Sequence, residues 1–171
     1  MNADLNILQD VGREFFHDMQ KRAASSPGEA VMVIRRPGGR VLLSTKSFYP
    51  SGTYRLPTGK LDSEEDPEKG FLRETWEETG FHPKTSFRLG TILSIFRNHG
   101  DTVSFPSFIF ASEVIEGVPC PQDPDESITS FLEADRLILV QAEKSLRSMD
   151  EPWSDWGCWR AAAHEFLLEH M

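Results

Sequence analysis

The stretch from Gly59 to Phe81, GKLDSEEDPEKGFLRETWEETGF, decides how the rest of the chain is read. Asp66-Pro67 is a strong helix start, because Asp caps free amides and Pro fits the first helical position. Gly80 is an equally good stop, since glycine accepts the left-handed turn that ends a helix. Between them Glu74, Glu77 and Glu78 stand at i, i+3 and i+4 and so project from one face. Carboxylates placed this way repel by a few tenths of a kcal/mol per pair (roughly 0.2–0.5). A solvated acidic face is what most Glu-rich helices are. Here a hard cation is the alternative that keeps three carboxylates ionised, and oxygen ligands without His or Cys point to Mg²⁺ or Mn²⁺. Glu65 lies in the approach to the helix, and Arg73 stands beside the triplet with a guanidinium able to fork onto a carboxylate. Gly70 inside the helix costs about 1 kcal/mol against Ala, which close packing against a sheet explains.

Working outward, Ala30 to Arg35 and Arg40 to Thr45 read as strands joined at Pro37-Gly38-Gly39, a hairpin. Ser47 to Thr53 is a polar and aromatic loop, and Tyr54 to Leu56 a short strand before Pro57. Beyond the helix, Phe87 to Phe96, Val103 to Val114 and Ile128 to Phe131 are strand-like, with Val118 to Glu126 a proline-rich loop. A weaker helical stretch covers Leu137 to Leu146, and residues 153–170 read as a C-terminal helix. At the other end Leu5, Leu8, Val11, Phe15 and Met19 recur at helical spacing, predicting an amphipathic helix over residues 4–23. Strands mixed with helices favour an α/β fold with a mixed sheet flanked by helices.

The composition narrows the partners. Asp plus Glu outnumber Lys plus Arg by 27 to 18, a formal charge of -9. So acidic a surface repels a nucleic-acid polymer, while small phosphate compounds remain compatible through local cations or a bound metal. No apolar run approaches the roughly 20 residues that span a bilayer, so no membrane segment is expected. The start of the chain has no basic region followed by an apolar stretch. With two cysteines, Cys120 and Cys158, too few for a disulfide framework, a cytoplasmic protein is expected.

Gly59, Glu65, Arg73-Glu74, Glu77-Glu78 and Gly80-Phe81, at their spacings, match the signature of the Nudix hydrolase family at every charged and glycine position. The chain therefore resembles that family, over 23 specific residues and, more loosely, over residues 29–146. The resemblance implies one domain over 1–171: an α/β/α sandwich with the Nudix core at 29–146 and added helices at 4–23 and 153–170. It implies that Glu74, Glu77 and Glu78, with the Gly59 carbonyl, hold the divalent metal, and that Arg73 and Glu65 brace loop against helix. It also implies cleavage of a pyrophosphate bond in a nucleoside diphosphate joined to another moiety, by water attack on phosphorus. The alternative is a nucleotide-binding sensor domain without turnover. Two positions depart from the usual pattern: Thr75 replaces an aliphatic residue and Thr58 a frequent glycine. The subgroup marks for ADP-ribose, dinucleoside polyphosphates and coenzyme A are absent, so the sequence selects no substrate.

Other candidates stand outside the motif. The general base is Glu126, Asp125 or a carboxylate within the motif. Arg55 and Lys60 are candidate phosphate ligands, with Arg35 and Lys46 further cations near the entrance. Phe48, Tyr49 and Tyr54 are candidates to stack a base or to anchor the loop. His99 sits at a hairpin tip, and His164 and His170 read as surface residues. Trp153, Trp156 and Trp159 form a stripe for packing on the sheet or on a second copy in a homodimer.

Overall fold

The computed structural model describes residues 3–171. Its strands are β1 (Ala3–Asp10), β2 (Glu29–Arg36), β3 (Arg40–Lys46), β4 (Thr58–Lys60), β5 (Ser86–Asn98), β6 (Asp101–Val114) and β7 (Ile128–Ala134). Four α-helices accompany them: α1 (Arg13–Ser25), α2 (Pro67–Thr79), α3 (Arg136–Arg147) and α4 (Ser154–His170). The strands form one mixed sheet in the order β1-β5-β6-β2-β3-β7, with β4 paired to β2. β1–β5 and β2–β6 run parallel, the other pairs antiparallel.

The apolar run in β2 is buried on both sides because the sheet is covered on both faces. Ala30, Met32 and Ile34 meet Phe71 of α2 and Phe110. Val31 and Val33 point the other way, onto Leu139 of α3 and Ala162, Ala163 and Phe166 of α4. Alternation along one strand thus feeds two cores, and the α/β/α layering follows. A third cluster joins Phe16 and Met19 of α1 to Phe96, Phe105 and Trp159.

The helix expected over 4–23 is corrected here: residues 3–10 are a strand, and α1 starts at Arg13. Every β1 residue from Ala3 to Asp10 pairs with β5, from Gly90 to Arg97. A long β5 leaves an edge of backbone donors and acceptors, and satisfying them outweighs weak local helix preference. Arg97 locks the end of the pair, donating from Nε and Nη2 to the two Asp10 oxygens. The short strand expected at Tyr54–Leu56 is a single bridge, Arg55 with Ser44. The hairpin between β2 and β3 and the α2 boundaries agree with the sequence-based expectation.

The tryptophan stripe divides. Trp159 is buried against Phe15, Phe96 and Phe105, whereas Trp153 and Trp156 turn to Tyr49. His164 corrects the surface assignment, being fully buried with Nε2 accepting from the Leu56 amide at 3.0 Å. No helix among the described residues is long and apolar enough to cross a membrane.

Candidate active site

The β4 strand carries the motif's first residues alongside β2, with Gly59 opposite Ala30. α2 crosses over it, so that a Cβ added at Gly59 would overlap the Glu74 side chain. Glycine here is a requirement of close approach. At Gly70 an added Cβ would collide with Leu61 and crowd Glu65, so the partner is the approach loop rather than the sheet.

Asp66 caps α2 as expected, its Oδ1 accepting from Glu68 N at 3.0 Å and Lys69 N at 3.2 Å. Gly80 ends the helix in the left-handed region at φ 72°. The chain after β6 then returns to the helix end: Cys120 N donates to Thr79 O, and Gln122 N to Glu77 O. Those bonds satisfy carbonyls that a helix C-terminus leaves open. They also deliver Glu126, in the turn that follows, to the acidic face.

Arg73 is the tie between loop and helix. Its Nε and Nη2 fork onto the two Glu65 oxygens, each at 2.8 Å. Its Nη1 reaches Glu74 at 2.8 Å and Glu77 at 3.0 Å, and Nη2 also touches the Lys60 carbonyl. The fork holds Glu65 below the usual carboxylate range and raises Arg73, so both stay charged.

Glu74, Glu77 and Glu126 each bring a carboxylate oxygen within 4.8 Å of the others. Glu78 lies behind them, fully buried, with hydrogen-bond partners for neither oxygen. Lys46 Nζ stands 3.6 Å from Glu78, beyond hydrogen-bond reach, and binds Glu126 at 2.7 Å. Burial pushes Glu78 up to about 8, against Lys46 and Arg55. Burial likewise raises Glu74 to about 7, against Arg73 and reinforced by Glu77 and Glu126. Buried carboxylates with open lone pairs suit a hard divalent cation, and the donor set fits Mg²⁺ or Mn²⁺.

The carboxylates line one side of a cavity of about 420 Å³. Arg22, Arg55 and Arg160 line it with the aromatic rings of Phe48, Tyr49 and Trp156, and Lys60 stands at the rim. Of the residues singled out from sequence, Glu74, Glu77, Arg73, Gly59, Glu126, Arg55 and Lys60 meet here, as do Lys46, Phe48 and Tyr49, with Glu78 and Glu65 immediately behind. Tyr54 does not: it packs on the core and borders a separate hollow with Leu132 and Ile138. Asp125 is exposed, its amide held by Asp123, and Arg35 lines another groove. Arg22 and Arg160 were not anticipated, because they come from helices at opposite ends of the chain.

The family model of the NUDIX domain matches residues 26–156. The chain belongs to the NUDIX family. A MutT-like protein of Streptomyces ambofaciens is 41% identical over 63 residues, covering 35% of this chain and 40% of that protein. The CMP-5'-(N-acetyl-N-hydroxy-3-aminopropyl)phosphonate hydrolase of Streptomyces rubellomurinus is 28% identical over 125 residues, covering 72% of this chain and 57% of that protein. This NUDIX chain thus spans about half the length of the curated relatives it matches. The crystal structure of RenU, a Nudix hydrolase from M. smegmatis, superposes with a TM-score of 0.56 at 19% identity, over 84% of each chain.

Proposed function

We propose that this NUDIX chain is a divalent-metal-dependent pyrophosphohydrolase, acting on a nucleoside diphosphate joined to a second moiety. The observation that carries it is the fully buried Glu78, unpartnered at both oxygens, directly behind Glu74, Glu77 and Glu126. A nucleotide sensor has no use for so costly a cluster, and a surface acidic helix would not be buried. One Streptomyces relative is named as a hydrolase of a CMP-linked phosphonate, a nucleotide joined to a second moiety.

In this reading Glu74, Glu77 and Glu78, with the Gly59 carbonyl, hold Mg²⁺ or Mn²⁺. Bound there, the cation neutralises phosphate charge, makes phosphorus more electrophilic and lowers the pKa of the attacking water. Glu126 is the general base: Lys46 takes one of its oxygens, and the other is left to accept the proton of water. The water oxygen attacks one phosphorus, the bridging P–O bond breaks, and the leaving phosphoryl oxygen departs with the bonding pair. Two phosphate monoesters result. Arg73 keeps Glu74 and Glu77 oriented, while Lys60 binds oxygens of the scissile diphosphate and Arg55 takes a substrate anion elsewhere in the cavity. Residues 29–146 supply the core on which this arrangement is mounted, and the flanking segments close the cavity.

The test is phosphate release through a coupled phosphatase from a panel of nucleoside diphosphate conjugates and triphosphates. Turnover should need Mg²⁺ or Mn²⁺ and should fall by orders of magnitude in Glu77→Gln. Equal rates in chelator, or in that variant at saturating substrate, would remove the proposed metal site. Nucleotide binding with no turnover across the panel would favour the sensor.

A further inference from the structure

Beside its carboxylates the cavity is lined by arginines from three separate parts of the chain. Arg22 of α1, Arg55 before β4 and Arg160 of α4 converge there. Glu29 is the carboxylate that pairs with this group, accepting from Arg160 Nη1 at 2.7 Å and Arg22 Nη2 at 3.3 Å. Arg55, buried, gives its hydrogens to neutral acceptors: the Tyr49 hydroxyl, the Leu56 carbonyl and Thr58 Oγ1. Among the described residues, Glu29 is thus the one carboxylate within ion-pair distance of the three guanidiniums, with Glu78 facing Arg55 from farther off.

Arg22 and Arg160 also keep unspent hydrogen-bonding capacity. Arg160 is 7% exposed and makes one hydrogen bond, to Glu29. Its Nε has no partner, and neither has Nε of Arg22. Burial, with repulsion from Arg55 and Arg22, pulls Arg160 down to about 10 in spite of Glu29. A buried cation such as Arg160, sharing its single carboxylate with Arg22, is the kind of group that a ligand's anion would neutralise. Around them stand Tyr49 and Trp156, ring centroids 4.9 Å apart, with the Arg55 guanidinium 5.4 Å and 5.7 Å from the two rings. Aromatic walls exclude water and strengthen any charge pairing made between them.

Position along the chain adds an independent point. Arg22 precedes and Arg160 follows the residues matched as the NUDIX domain, 26–156. These cations are additions of this chain's flanking helices, beyond the motif's own Arg73 and the rim Lys60. We propose that Arg22, Arg55 and Arg160 form a second anion site, selecting nucleotide conjugates whose other moiety carries its own phosphoryl or carboxylate group. The planar forks of arginine suit such oxygen pairs. The site rests on the pyrophosphohydrolase reading, which places the scissile diphosphate at the carboxylate end and leaves these cations for a further charge.

The experiment compares matched conjugates, such as UDP-glucuronic acid and UDP-glucose, which share nucleoside and diphosphate and differ in one carboxylate. The wild type should favour the charged member by tenfold or more in kcat/KM. The ratio should collapse towards one in Arg22→Gln, and in Arg160→Lys, which keeps a cation against Glu29. Equal rates for both conjugates in the wild type, or a ratio that survives both substitutions, would overturn the anion site. In parallel, inorganic phosphate is titrated calorimetrically into metal-stripped protein in buffer free of divalent cations. Phosphate binding that weakens tenfold in Arg22→Gln, with no turnover of any conjugate, would sink the hydrolase reading and leave the anion site standing. Turnover without charge preference and without phosphate binding would do the reverse, and failure of both would overturn both.

Discussion

Glu29→Gln removes the charge that holds the basic half of the cavity together. The side chain is 1% exposed and takes three donors: Arg160 at 2.7 Å, the Ser107 hydroxyl at 2.8 Å and Arg22 at 3.3 Å. Glutamine keeps the shape but leaves Arg160 buried beside Arg22 and Arg55 with no counter-ion. Removing one partner of a buried pair costs about 3–5 kcal/mol. For a chain of this size that lowers Tm by roughly 6–20 °C. Urea unfolding at pH 7 in chelator reads the difference directly. The double variant Glu29→Leu/Arg160→Met, which removes both charges, should recover much of the loss, because a buried pair replaced by apolar residues is often neutral. The sign with pH follows from Glu29 itself. Arg160 and Arg22, with the Ser107 hydroxyl, hold its carboxyl below the ordinary value of 4.5 despite burial, so its stabilisation is present above that pH. As the pH falls further, through the lowered value, the deficit of Glu29→Gln should shrink. A deficit below about 1 kcal/mol at pH 7, or simple additivity of the two single substitutions, would refute the argument.

Three further outcomes are expected. His164 is kept neutral by burial beside Arg55, its pKa pulled down to about 3, so the unfolded chain binds the extra proton below its ordinary 6.5. Its contribution is full above that pH and falls by about 1.4 kcal/mol per unit as the pH drops towards 3; urea curves at pH 7, 6 and 5 should show His164→Gln losing this slope. Gly59→Ala should displace Glu74 and cut turnover at least tenfold while circular dichroism shows the fold kept; full activity would contradict the close approach of β4 and α2. Mg²⁺ at a hundred times its dissociation constant should stabilise the wild type by about 2.7 kcal/mol, seen as a raised Tm that chelator abolishes and Glu78→Gln never shows.

Much of the site was legible because its determinants are local. Asp66, Gly80 and the glutamate spacing act within one helix, and the structure places them as their spacing requires. Glu126 was legible only as the acid that follows a proline-rich loop. Its arrival depends on that loop bonding to the end of α2, a contact between segments that share no periodicity. Residues 4–10 misled because Leu5 and Leu8 satisfy a helical spacing equally well. The partner that decides for a strand, Gly90 to Arg97, lies more than eighty residues away. His164 has the same explanation, since the amide it serves belongs to Leu56. Arg22 and Arg160 carry no spacing relation to the motif, and their convergence on Glu29 exists only once α1 and α4 have packed.

Turnover should require a divalent cation held by Glu74, Glu77 and Glu78. The most direct test is a Mn²⁺ titration in which free Mn²⁺ is followed by electron paramagnetic resonance while hydrolysis of a nucleoside diphosphate conjugate is recorded in the same samples. The rate should rise in proportion to bound Mn²⁺, and Glu78→Gln should lose binding and rate together. Hydrolysis without bound Mn²⁺, or undiminished binding and rate in Glu78→Gln, would contradict that requirement.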